Sequence, residues 1–183
     1  PPVTTFSSSQ VQNTTINTLT FNCTDNNSGC KYLNYNIDSN VWIQVANTGT
    51  KDINYSGAGS HSIQYFSTDN SDNNETVKTS TFTTYGTGHF TFRDENTYAL
   101  VSTDYNVNPS INGVSSGTGT TLDLNLQGIT NQTYTFTFSK TGYGTRYYYT
   151  DLNEFSSFDY NQLMLQDTNG NNEIELTIYT YTG

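Results

Sequence analysis

The chain has 183 residues and a formal net charge of −10, with only 6 lysines and arginines. That leaves no basic face to neutralise phosphates, which argues against nucleic acid or an anionic membrane surface as a partner. Nor does any apolar run approach the roughly 20 residues of a membrane-spanning helix, so no membrane insertion is expected, and no charged-then-apolar leader opens the sequence. Hydrophobic residues make up 32%, but 15 Tyr and 10 Phe bring large buried area. Thr, Tyr and Phe favour strands and Asn, Gly and Ser the turns between them, so the expected class is all-β.

Pro1-Pro2 reads as a processed start or the end of a linker, and Val3, Phe6 and Val11 as anchors of a first edge strand. From Ile16 the pattern sharpens: Leu19, Phe21 and Cys23 alternate with Thr and Asn, as in a strand with one buried face. An acidic loop follows, bounded by Cys23 and Cys30. Two readings stand for these cysteines. A disulfide would close a loop of about eight residues, stabilise by about 2.5 kcal/mol on the chain-entropy model, and place the chain in an oxidising compartment; the other reading is a pair of reduced, half-buried thiols at strand ends.

Leu33, Tyr35 and Ile37 alternate next, and Asp38-Ser39-Asn40 turns the chain into Val41, Ile43 and Val45. Trp42 has the opposite phase, packing on the far face or marking a bulge. Ile53 and Tyr55, then Ile63 and Tyr65 after Gly57-Ala58-Gly59, continue the alternation, and Val77 to Thr83 closes the unit with Val77 and Phe82 out of phase. Short strands spaced by turns in this way predict an immunoglobulin-type sandwich over 1–84.

The run through Cys23, Cys30, Tyr35, Asp38 and Trp42 to GSHSIQYFSTDNSDNNE at 59–75 resembles the immunoglobulin-like repeats of large prokaryotic surface proteins. Those carry a T-x-x-D-x-x-S-G-C loop, a Y-x-I-D-G-G-x-W hairpin and a G-x-H-x-I-x-Y-x-S-x-D-x-A-G-N-x-E ending. The likeness covers about 12–84. Ser39-Asn40 stands where the repeats have Gly-Gly, and Ser71-Asp72-Asn73 where they have Ala-Gly-Asn. The resemblance implies a spacer or adhesive repeat without catalysis.

Tyr85-Gly86-Thr87-Gly88 reads as the joint to a second unit, 85–183, with Phe90 and Phe92 opening a new alternation. Tyr98 to Val101 belongs to this new unit, and 106–121 reads as a Gly, Ser, Asn and Pro-rich segment. Leu122, Leu124 and Leu126 alternate, as do Tyr134, Phe136 and Phe138; Thr141 to Gly144 turns into Arg146 to Thr150. Leu163 and Leu165, the Asn169-Gly170 hairpin signal, and Ile174, Leu176 and Ile178 end the chain. TYTFTFSKTGYGTRYYYT at 133–150, after FRDENTYALV at 92–101, resembles the carboxypeptidase-regulatory or transthyretin-like sandwich, which implies a second small β-sandwich used as a structural or binding appendage.

For chemistry, Gly113-Val114-Ser115-Ser116-Gly117 fits G-x-S-x-G, but His61 and His89 both precede it and no helix pattern follows. The carboxylate pairs are Asp94-Glu95, Asp151 with Glu154, and Glu173 with Glu175, none of which the sequence places in a cleft. In an immunoglobulin-type sandwich the loops after the second and sixth strands share an end, which brings Asp25 towards Asp69, Asp72 and Glu75 as hard oxygen ligands for calcium. The same Asp and Asn residues also suit turns, bonding nearby backbone. Asp167 to Asn171 has its glycine fourth and reads as a hairpin rather than a calcium loop. No other cofactor is expected.

Tyr147, Tyr149, Tyr179 and Tyr181, with Tyr148, Phe155, Phe158 and Tyr160 nearby, are candidates for stacking on a glycan, or else for the core. Asn13, Asn22, Asn26, Asn54, Asn74 and Asn131 fit the N-glycosylation pattern, about as many as chance gives in a chain more than a quarter Ser and Thr.

The expectation is therefore two tandem β-sandwiches serving as a non-catalytic building unit of an extracellular assembly, such as a cell-surface fibre, pilus, surface layer or virus appendage. Such a unit would associate with copies of itself or with neighbouring modules. The second reading is a carbohydrate-binding or adhesin module of a larger secreted protein.

Overall fold

A computed structural model of the chain describes residues 1–12, 14–164 and 174–175. All regular structure among them is β, and by contact the chain divides into two compact units, Pro1–Thr84 and Tyr85–Gly183.

The first unit contains β1 (Val3–Gln10), β2 (Ile16–Thr24), β3 (Cys30–Ile37), β4 (Ile43–Ala46), β5 (Thr50–Ser56), β6 (Gly59–Asp69) and β7 (Lys78–Thr84). They form two sheets, ordered β1-β2-β5 and β4-β3-β6-β7, and every neighbouring pair is antiparallel. The chain changes sheet after β2, β4 and β5, so the two sheets are interleaved along the sequence. Alternation assigns the faces: Leu19 and Phe21, Leu33 and Tyr35, Ile63 and Tyr65, and Phe82 meet between the sheets. Burial of each such side chain contributes roughly 1.5–3 kcal/mol.

Two expected anchors are corrected. β1 pairs in the register Phe6↔Phe21, which turns Phe6 inward to 5.2 Å from the Phe21 ring and 5.6 Å from Tyr65. Val3 has the other phase and Val11 lies past the strand, so both are exposed and Thr4 is buried in their place. Likewise Val41 and Ile43 are exposed, and only Val45 of that trio packs on the core. The cause is position: β4 is an edge strand with β3 as its one neighbour, in a four-stranded sheet facing a three-stranded one. Trp42 packs on the far face, its ring 5.3 Å from Phe66. At β7 the phase of Phe82 prevails and Val77 is exposed.

The turn after β3 puts Asp38 at φ 54° and Ser39 at φ 61°, with Asn40 N–H donating to Ile37 O at 3.1 Å. Positive φ at both central residues is the type I′ arrangement, which matches strand twist but is costly for a residue with a Cβ. Asp38 is held there by its own bonds: Oδ1 accepts from Ser62 N at 2.9 Å, Oδ2 faces His61 Nδ1 at 2.8 Å, and its N–H donates to Ser62 O at 2.8 Å.

The second unit contains β8 (Thr87–Asp94), β9 (Thr103–Ile111), β10 (Val114–Gly119), β11 (Thr121–Asn125), β12 (Gln132–Lys140), β13 (Tyr143–Leu152), β14 (Phe158–Met164) and β15 (Ile174–Glu175). Its sheets are ordered β10-β9-β12-β13-β15 and β11-β8-β14. Phe90 is fully buried, with the rings of Phe136, Phe138, Tyr148, Phe158 and Tyr160 5.1, 5.0, 5.5, 5.2 and 5.9 Å away. Phe92, Val107, Ile111, Leu122, Leu124, Leu126, Tyr134 and Leu152 complete the core.

Several expectations for this unit change. Gly88 is not a joint residue but lies within β8, where a Cβ would stand 2.3 Å from Phe158 Cζ; the glycine lets that ring settle on the strand. The 106–121 segment is mostly strand, a β9–β10 hairpin turning at Asn112 (φ 46°) and Gly113 (φ 84°). Tyr98 and Leu100 are exposed after the turn that ends β8, with Leu100 bridged antiparallel to Arg93. The turn expected at Asn169-Gly170 lies outside the described residues; on either side of it, β14 runs parallel to β8 in one sheet and β15 parallel to β13 in the other. Expectations on Asn13, Leu165, Asp167 to Asn171, Glu173, Leu176, Ile178, Tyr179 and Tyr181 lie outside the described residues.

Candidate functional site

The acidic end of the first unit is built by two loops. The β2–β3 loop starts and ends on a disulfide, Cys23–Cys30, which joins the two sheets with a Cα–Cα distance of 6.2 Å; both residues are buried. Inside it, Asp25 accepts from Asn27 N at 2.9 Å and from the Ser28 hydroxyl at 3.1 Å. The loop after β6 latches onto it: Asn70 N donates to Gly29 O at 3.0 Å and Asn70 Nδ2 to Ser28 O at 2.8 Å. The two loops thus share an end.

Each of the four grouped carboxylates has its own partners there. Asp69, 1% exposed, accepts from Asn73 Nδ2 at 2.9 Å, Asn73 N at 2.9 Å and Ser71 N at 2.8 Å. The Asn73 amide, aided by those backbone N–H groups and by Ser28, holds its carboxyl far below the usual carboxylate range against the opposing effect of burial. Asp72 pairs with Lys31 at 2.6 Å in solvent. Glu75 faces the other way, accepting from Thr4 N at 2.9 Å through Oε1 and from Ser67 N at 3.4 Å through Oε2, with Lys78 Nζ against Oε1. Lys78 also donates to Thr4 O at 2.7 Å, and Thr4 Oγ1 to Ser67 Oγ at 2.7 Å. Glu75 therefore ties β1 of one sheet to β6 and β7 of the other. Burial alone would raise its pKa, but Lys78 and Thr4 outweigh burial and lower it. Among the described residues no group of three or more His, Cys, Asp or Glu stands close enough to hold a metal ion.

Other polar clusters also work across strands. His61 Nδ1 meets Asp38, Tyr55 Oη lies 3.2 Å from the same nitrogen, and His61 Nε2 lies 3.3 Å from Gly57 O. On the outer face of β1-β2-β5, Thr18, Thr20 and Thr50 donate to Asn54, Asp52 and Asn22 at 3.2, 2.7 and 2.7 Å. In the second unit Asp94 closes the turn after β8, accepting from Thr97 N at 2.7 Å, Thr97 Oγ1 at 2.9 Å, Asn96 N at 3.0 Å and Tyr143 Oη at 2.9 Å. The Thr97 backbone N–H is the largest of the effects that lower its pKa to about 2. Asp151 accepts from Thr133 and Glu154 from Gly128 N, so that carboxylate pair is divided between different partners.

One line of residues has the hydrogen-bond order of a hydrolytic triad: His89 lies between Asp123 (Nδ1 to Oδ1, 2.6 Å) and Thr91 (Nε2 to Oγ1, 2.9 Å). It lies on the outer face of β8 and β11, where cross-strand polar bonds are the ordinary state, with His89 half-buried and Asp123 exposed. Ser115, of the G-x-S-x-G run, is exposed on edge strand β10 after the Asn112-Gly113 turn, between two strands rather than between a strand and a helix.

Of the aromatic candidates, Tyr148, Phe158 and Tyr160 belong to the second unit's core or pack on it. Tyr147 and Tyr149 face outward from β13 opposite Thr137 and Thr135, with Tyr149 exposed, and Phe155 is exposed in the loop before β14. Asn22, Asn26, Asn54, Asn74 and Asn131 are all exposed. The Glu75 staple is the arrangement that sequence reasoning missed; its carboxylate answers to Thr4, 71 positions away, and no local pattern encodes that. Compared with known proteins, the chain matches no family model and no curated protein.

Proposed function

We propose that the chain is a non-catalytic structural building unit of an extracellular assembly such as a cell-surface fibre, pilus, surface layer or virus appendage. The observation that carries this reading is the use made of its reactive-looking side chains. Asp69, Glu75, Asp94, His61 and His89, each a candidate for chemistry by residue type, bond across strands or close a turn. Such a layout stiffens a sheet and leaves edges and loops for contacts with other copies. The buried Cys23–Cys30 disulfide fits an oxidising location, and no helix among the described residues is long and apolar enough to cross a membrane.

Light scattering against protein concentration and salt tests the proposal. A chain at −10 repels its copies, so screening should promote growth into large particles. A monomer under every condition would overturn it. The second reading, a carbohydrate-binding or adhesin module, is favoured by Tyr147 and Tyr149 sharing an outer face with Thr135 and Thr137; it predicts glycan-array signal that Tyr149→Ala abolishes.

A further inference from the structure

Val41, Trp42 and Ile43 are consecutive, and 83%, 43% and 47% exposed. They lead into and open β4, whose outer edge has no strand beside it among the described residues. Three large apolar side chains on an unpaired edge are what edge strands normally avoid, by charge, proline or bulges. Here charge, proline and bulge are all missing: no residue from Ser39 to Thr50 is charged, none is proline, and β4 pairs with β3 without a register shift, so its four-residue length is its one protection.

The alternation of the chain limits what can cover them. Val41 and Ile43 share the side of Val45, whereas Trp42 emerges on the other side beside Phe66. A flat ligand on the outer face would cover Trp42 and leave Val41 and Ile43 in water. An occupant that covers all three arrives edge-on, as a strand does.

The same stretch is complementary to itself. With antiparallel pairing about Ile43, Val41 stands opposite Val45 of the second copy and Ile43 opposite Ile43 on one face, and Trp42 opposite Gln44 on the other. The uncharged edge lets two chains of −10 meet without like charges facing one another. We propose that β4 is a homodimer contact, pairing antiparallel with β4 of a second copy about a twofold axis through Ile43. The contact is isologous and closes on itself, so it yields a dimer and not a filament. It therefore does not rest on the proposed role in an assembly, which would need a further surface.

Sedimentation velocity of the full chain, from micromolar to on the order of 1 mM, reads the contact directly. The wild-type chain is expected to shift from monomer to dimer with concentration. Ile43→Lys and Ile43→Glu should each stay monomeric, because like charges meet on the axis, and an equimolar mixture of the two should dimerise again. Ile43 is half exposed, so both variants are expected to melt within a few degrees of the wild type, which separates loss of the contact from loss of the fold. A wild-type monomer throughout the range would overturn the proposal. So would a dimer that both substitutions leave intact, or one that their mixture fails to restore.

Discussion

Removing the Cys23–Cys30 bridge by the double substitution Cys23→Ala, Cys30→Ala should destabilise the first unit selectively. The cysteines are seven positions apart, and on the chain-entropy model a closed loop of that size is worth about 2.5 kcal/mol. For a unit of this length each kcal/mol moves the midpoint by roughly 4–8 °C, so the expected loss is about 10–20 °C. The bridge joins β2 to β3, in different sheets, and its loss frees the loop that carries Asp25 and Ser28 as well. Trp42 is the sole tryptophan and lies in this unit, so thermal unfolding followed by its fluorescence reports the first unit. Reductant added to the wild type should reproduce the shift and add nothing to the variant. A loss below about 3 °C, or a reductant effect on the variant equal to that on the wild type, would show that the bridge does not stabilise the unit in this way.

Glu75→Gln should cost the first unit roughly 1.5–3 kcal/mol at neutral pH, because the bonds it removes are charge-assisted. The Glu75 pKa is lowered in the folded unit, so its contribution is full above the unfolded carboxyl's pKa and is lost as pH falls through the folded value. Urea midpoints against pH should therefore drop less steeply on the acid side for Glu75→Gln than for the wild type; equal slopes would contradict the staple. Ser39→Gly should stabilise by about 0.5–1 kcal/mol, since φ 61° strains a side-chain-bearing residue, and a lowered Trp42-monitored melting temperature would count against the strain. Gly88→Ala should destabilise the second unit by about 1–3 kcal/mol by driving a methyl into the Phe158 ring, measured by urea unfolding with near-ultraviolet dichroism; an unchanged midpoint would show that the ring yields freely.

Wherever large side chains alternate with Thr or Asn, the strands could be read directly. Leu19 and Phe21, Phe90 and Phe92, and Tyr134, Phe136 and Phe138 all face the interiors that their period-2 spacing implies. Val41 and Ile43 obey the same spacing yet are exposed, because alternation gives a side of the strand and not the extent of the layer opposite. The β9–β10 hairpin escaped notice because Asp104, Asn106, Asn108 and Ser110 hide the alternation of Tyr105, Val107 and Ile111; the Asn112-Gly113 pair, a strong hairpin signal, could have revealed it. Pairing of β14 with β8 joins segments about 70 positions apart in parallel, and nothing local encodes such a partner.

The acidic loops were legible as a cluster and as a shared end, but not in their use. Ser28 and Asn70 do bring the two loops together, as the strand order implied. Glu75 turns towards Thr4 on a distant strand and Asp72 towards Lys31 of the neighbouring strand, partners that no local pattern names. Asp25 and Asp69, like Asp94 in the second unit, are held instead by near neighbours in the turns that Asp residues commonly make.

Negative-stain electron microscopy of the oxidised chain, concentrated in physiological salt, decides whether it is a building unit. Ordered particles with a regular repeat are expected, and a field of isolated single copies at every concentration would rule the role out.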